Sequence, residues 1–153
     1  MNTKMQASPL SLNHYQFLEF EIEPEPGYQS KPNMYPDIGG AEFKSRVTIG
    51  VREDDEEKDD FTVKLYLTAT PKKKGGFPYH FKIGVQGFFT LREDFKVDDK
   101  QDFVLVNGAT LLYGVLRDTL LNFTSRFEYS SVMIPTVNFL QLKGVLEKGC
   151  DEE

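Results

Sequence analysis

The sequence predicts an α+β domain: a four-stranded antiparallel sheet with a long loop after the first strand, followed by one long and one short C-terminal helix. Three observations predict it. Apolar and polar residues alternate with period two in four separate stretches, as in half-buried strands. Between the first two lies a connection with four prolines and three glycines, residues 24–40. From about Asp102 the apolar period becomes helical. At 153 residues the chain fits one domain, 1–153, with 1–13 and 148–153 expected as flexible tails.

The first strand is expected over Tyr15–Glu23, with Leu18, Phe20 and Ile22 on one face and Phe17, Glu19, Glu21 and Glu23 on the other. A structureless loop as long as 24–40 is unusual inside a compact domain and points to function. Its Tyr28, Met34, Tyr35 and Ile38 must pack on something. The second strand, Phe43–Glu53, turns Phe43, Val47, Ile49 and Val51 inward and Lys44, Arg46 and Arg52 outward. "EDDEEKDD" (53–60) then reads as a solvated turn. The third strand, Phe61–Ala69, has Val63, Leu65 and Leu67 inward and Lys64 and Tyr66 outward. "PKKKGG" (71–76) forms the next turn, where Gly75 and Gly76 permit positive φ. The fourth strand, Phe77–Leu91, carries Pro78 near its start, where a missing N–H matters least. Short turns make strands two to four a meander, with its acidic and basic turns at opposite ends.

In the long helix Leu105, Ala109, Leu112, Leu116, Leu120, Phe123 and Phe127 form the main stripe, and Asn107 is a candidate N-cap. Gly108 and Gly114 weaken the helix but let another backbone approach. Leu111, Val115 and Leu121 are apolar off that stripe. A helix apolar on more than one face needs a second partner surface, which one sheet does not supply; this points to oligomerisation. A short last helix is expected over Phe139–Leu146. Before it, "MIPTVNF" (133–139) is too proline-broken for strand or helix and reads as an ordered, buried connection, with Asn138 as a local cap.

Composition narrows the function. A net charge of −6 disfavours nucleic acid, whose binding requires cations to replace counterions. The single cysteine, Cys150, forms no internal disulfide and suits a reducing, cytoplasmic setting. No apolar run suggests a membrane span, and the opening residues lack the apolar core of a secretory signal. His14, His80 and Cys150 have no familiar zinc spacing, and "DDEE" lacks the turn glycine of a calcium loop, so no metal site is expected. No nucleotide loop or nucleophile motif is present; no cofactor and no catalytic residue are predicted. His80, alternating outward, reads as ordinary surface. Thirteen Phe and seven Tyr with no Trp leave one question: which rings remain once the core is filled.

"LLYGVLRDTLLNFTSRFEYSSVMIPTVNF" (111–139) resembles the SecB family of protein-export chaperones. Tyr113 and Arg117 match an aromatic and an arginine in the family's long helix. Ile134, Pro135, Val137, Asn138 and Phe139 match its "lpPvNF" segment, and "FKIGVQGFFTL" (81–91) resembles its last strand. "RFEYSSVM" (126–133) lacks the family's turn glycines.

The resemblance implies a homotetramer, built as a dimer of dimers, that holds unfolded polypeptides in apolar grooves without ATP. It implies client contacts at Phe17, Tyr28, Met34, Tyr35, Ile38, Tyr129 and Met133, since aromatics and methionine suit adaptable contact. In the family the outer sheet face docks the SecA motor; here Glu19, Glu21 and Glu23 offer the acidic stripe for it. Two alternatives stand beside a general holdase. One is a chaperone dedicated to a single client, such as an antitoxin. The other is a non-chaperone binding or scaffolding module on the same fold.

Overall fold

The computed structural model describes residues 1–32, 34–51 and 59–142. Strands β1 (Leu10–Pro24), β2 (Ala41–Val51), β3 (Asp60–Pro71) and β4 (Tyr79–Leu91) precede one long helix, α1 (Lys100–Thr124). Short 3-10 turns occur at Ile38–Gly40 and Phe139–Leu142. The sheet is antiparallel with order β1-β4-β3-β2. Strands two to four form the expected meander, and β1 adds to the free side of β4. The loop joining β1 to β2 must therefore cross the whole sheet, three strand spacings or about 14 Å. About four or five extended residues would suffice for that crossing, so the connection is longer than the crossing requires.

One face of the sheet is the core. β3 alternates strictly, burying Phe61, Val63, Leu65, Leu67 and Ala69, while β4 buries Tyr79, Phe81, Ile83, Val85, Phe89 and Leu91. α1 covers this face with Val104, Ala109, Leu112, Leu116 and Leu120, none of them exposed. By length and composition α1 could also cross a membrane, but here that apolar stripe is spent on the sheet. The helix comes close because of Gly108: a Cβ there would lie 3.0 Å from Val63 Cγ2 and 3.3 Å from Phe89 Cζ. The backbone approach expected of a small residue occurs at this position.

β1 departs from expectation. It begins at Leu10, inside the segment expected to be a flexible tail, and its register slips between Leu12 and His14 and between Phe17 and Glu19. A bulge inserts one residue and reverses the parity of what precedes it. Phe17, expected outward with the glutamates, therefore packs inward beside Phe20, and Leu18 is the residue turned out.

The helix starts one turn earlier than its apolar pattern. Asp99 is the N-cap, accepting the Asp102 N–H at 3.0 Å. Asn107 is not a cap; it lies mid-helix and donates to the Phe103 carbonyl. The expected last helix is a single 3-10 turn as far as Leu142. Its continuation to 146, the tail 148–153 with Cys150, Arg52 and the acidic turn apart from Asp59 and Asp60 lie outside the described residues.

Side chains of α1 hold the segment that follows. Tyr113 donates its hydroxyl to the Pro135 carbonyl, and Arg117 Nε donates to the Ile134 carbonyl at 2.9 Å. The Thr124 hydroxyl accepts the Val132 N–H at 2.9 Å and donates to the Leu120 carbonyl at 2.7 Å. Val132 and Ile134 are fully buried, and Phe139 packs edge-on against Tyr113. Asn138 caps the last turn as expected, accepting the Leu140 N–H at 2.9 Å.

Thr124→Val keeps the shape but leaves the buried Val132 N–H unpaired, which costs about 1–3 kcal/mol. Thr124→Ser, which retains the hydroxyl, should recover most of that loss in the denaturant midpoint. Tyr79 is fully buried, and its phenol pKa is pushed up to about 12 by burial first, with Tyr28 and Tyr129 adding to it. The unfolded phenol ionises near pH 10 while the folded one keeps its proton. Tyr79 therefore supports stability fully below about pH 10, and that support is lost between about pH 10 and 12. The denaturant midpoint of Tyr79→Phe should fall less steeply than wild type across that window.

Candidate functional site

The crossing loop is pinned at three places. The Glu25 N–H donates to the Pro78 carbonyl at 2.7 Å. Glu25 itself is buried and its carboxylate pairs with Nε2 of His80, so His80 is not the idle surface residue expected of it. At the far end Asp37 caps the 3-10 turn through the Gly39 N–H, and the Lys72 N–H donates to the Gly40 carbonyl. A Cβ on Gly40 would meet the Gly76 carbonyl oxygen at 2.2 Å, so loop and β3–β4 turn touch backbone to backbone. Gly75 supplies the positive φ that turn requires, +72°. Shortly after Glu25, Tyr28 packs edge-on against Tyr129 with ring centroids 5.4 Å apart, and the Ser130 hydroxyl contacts that of Ser30.

Two clefts flank the loop. One, of about 490 Å³, lies between Met34 and Tyr35 on one side and Glu128–Ser131 on the other. The second, of about 520 Å³, runs from Tyr28 past Met34 and Tyr35 to Lys73 and Lys74 of the β3–β4 turn. Met34 and Tyr35 stand between the two clefts, 62% and 58% exposed. Both side chains are therefore only partly packed onto the rest of the chain.

The candidate contact residues divide accordingly. Tyr28, Met34, Tyr35 and Tyr129 come together around the clefts. Ile38 packs against the core at the head of the 3-10 turn. Met133 is half-buried between buried Val132 and Ile134, away from either cleft wall. Phe17 lies on β1, yet an unbroken series of ring contacts links it to the loop. From Tyr28 the series passes through Tyr129, Tyr79, Phe127, Phe123 and Phe20 to Phe17 and Tyr15, with centroids 5.0–6.4 Å apart. Phe123 and Tyr15 are each 44% exposed along it. Sequence reasoning missed this band because a bulge decides which way Phe17 points. It also missed Lys31, Lys73 and Lys74 on the cleft walls.

On the outer sheet face Glu19, Glu21 and Glu23 sit opposite Gly84, Lys82 and His80 of β4. Lys82 bonds Glu19 at 3.1 Å, and that bond raises the pKa of the lysine. Arg46 stacks over Tyr66 nearby, 4.6 Å from its centroid. The stripe is a mixed-charge surface. At the other end of the sheet a cleft of about 430 Å³ has its polar groups engaged with one another: Asn13 donates to Thr90, and Thr90 to Asp60. Among the described residues no group of three His, Cys, Asp or Glu could hold a metal. The paired clefts offer rings, a thioether and ammonium groups, which suit binding of an extended chain.

A family model described as preprotein translocase subunit SecB matches residues 29–143, most of the chain. No curated protein matches. Among solved structures, a SecB-like chaperone of Mycobacterium tuberculosis, in complex with a ChAD peptide from an antitoxin, superposes with a TM-score of 0.57 at 10% identity. The alignment covers 84% of this chain and 88% of that one. A protein of unknown function from Streptococcus agalactiae gives a TM-score of 0.49 at 9% identity, over 82% of this chain and 96% of that one. With the strand order, the crossing loop and the family match in agreement, the chain belongs to the SecB family.

Proposed function

We propose that this protein is an ATP-independent holdase that binds non-native polypeptide segments along the crossing loop. The observation that carries the reading is the pair Met34 and Tyr35, exposed on a loop anchored toward both ends, at Glu25–Ser30 and at Asp37–Gly40. A pre-formed apolar surface spares the binder the entropy of ordering it. Methionine and tyrosine adapt to clients of different shape.

The working unit is a homotetramer, a dimer of dimers, in the cytoplasm. The support is the face of α1 turned away from the sheet. Leu111 is 44% exposed there, and a Cβ on Gly114 would have nothing within 4 Å. A second copy of the chain is the occupant that fits a helix apolar on both sides. Four chains of 17.5 kDa make about 70 kDa. SecA docking finds less support, since Glu19 is already held by Lys82. The second reading, a chaperone dedicated to one client, is favoured by the antitoxin peptide bound to the Mycobacterium tuberculosis protein.

Wild-type protein should suppress aggregation of several unrelated unfolded proteins, and Met34→Ser/Tyr35→Ser should weaken client affinity by about tenfold or more with its mass unchanged. Unchanged affinity removes the loop from the site. Protection of a single partner selects the dedicated reading, and binding only of folded proteins or small molecules selects the scaffold reading. Leu111→Lys should lower the mass measured by light scattering below about 70 kDa while leaving the secondary structure intact.

A further inference from the structure

We infer that the loop cleft selects apolar segments flanked by acidic residues. The inference deepens the holdase reading and rests on it. The chain carries a net charge of −6, yet the cleft bearing Tyr28, Met34 and Tyr35 is also walled by Lys31, Lys73 and Lys74. Lys72 adjoins them, and its N–H bond to Gly40 ties the turn to the loop. The lysine-bearing backbone is thereby fixed relative to the rings, with Gly40 and Gly76 in direct contact.

Several basic side chains elsewhere are paired within the chain, while Lys4, Lys64, Lys96 and Arg126 are in no ion pair among the described residues but lie outside this cleft. Lys82 pairs with Glu19, Lys100 with Asp59, Lys44 with Glu42, Arg92 with Asp94 and His80 with Glu25. Among the described residues no ion pair holds Lys31, Lys72, Lys73 or Lys74. Two acids stand near and offset part of this charge: Asp37, on the same wall, caps Gly39, and Glu128 lines the neighbouring cleft with Lys31. The positive excess sits on the β3–β4 turn side. A client that places an aromatic or large aliphatic side chain against Met34 and Tyr35 would carry its next few residues over Lys73 and Lys74. Asp or Glu there completes the charge pairing that the chain itself leaves open.

The test uses the full chain and three fluorescent peptides with one shared apolar core, flanked by Asp/Glu, by Ser or by Lys. Anisotropy titrations at about 20 mM and about 300 mM salt separate the charge contribution, because screening shortens its range. At low salt the acidic peptide should bind about tenfold tighter than the Ser peptide, an advantage that shrinks at high salt. On Lys31→Gln/Lys73→Gln/Lys74→Gln the acidic and Ser peptides should bind equally well, and a persisting acidic advantage overturns the inference. Equal binding of all three peptides, or preference for the Lys peptide, overturns the inference and leaves the holdase reading standing. Tight binding of an acidic peptide lacking the apolar core, or stronger competition by a single-stranded oligonucleotide, also overturns it. Failure of every peptide to bind, with no suppression of aggregation, overturns both.

Discussion

The architecture depends on the way α1 holds the chain that follows it. Tyr113, Arg117 and Thr124 lie one and two turns apart on the helix and bond backbone groups of Pro135, Ile134 and Val132. Without them a proline-broken apolar segment would have to satisfy buried carbonyls and an N–H in some other way. With them, the chain reverses at the end of α1 and lies back along it. That reversal places Tyr129 and Ser130 beside the crossing loop. Tyr79 strengthens the junction, donating to the Ser130 carbonyl at 3.2 Å from the centre of the core. The second cleft wall is thus a consequence of how a helix terminus is closed.

The sheet order imposes the other wall. Because β1 and β2 occupy opposite edges, the loop between them must span the sheet, and a long loop over a sheet end is costly in entropy unless it is held. It is held by backbone bonds at Glu25 and Gly40 and by Tyr28 on Tyr129. Met34 and Tyr35 lie between these anchors and remain mostly exposed. Their exposure follows from the geometry, which separates an ordered backbone from unburied side chains.

Much of the fold was legible in the sequence because strict alternation in β3 and helical spacing in α1 each reflect a single apolar surface. The parts that were not legible have identifiable causes. The bulge before Glu19 leaves no trace in composition, so Phe17 could not be assigned to its face. Asp99 precedes the apolar stripe by a turn, and Asn107, equally suited to capping, lies closer to it. His80 finds Glu25 only after the chain turns through the loop. The exposure of Met34 and Tyr35 was foreshadowed because they sit in a proline-broken segment. The lysines were visible only as a turn, since nothing in "PKKKGG" says that Gly40 will pack against it. The "MIPTVNF" segment marked the family, yet its bonds to Tyr113 and Arg117 required the three-dimensional register.

A binder of unfolded chains must expose apolar surface without associating through it. The charge layout supplies one answer. Asp59 and Asp60 stand at one end of the sheet and Lys72–Lys74 at the other, next to the exposed Met34 and Tyr35. Two copies meeting cleft to cleft would bring like charges together, which disfavours that encounter. The outer face of α1 carries a smaller charge, with Asp118 beside the uncharged Leu111, Gly114 and Val115. On the proposed reading, the same lysines would invite an acidic client and disfavour self-association through the loop.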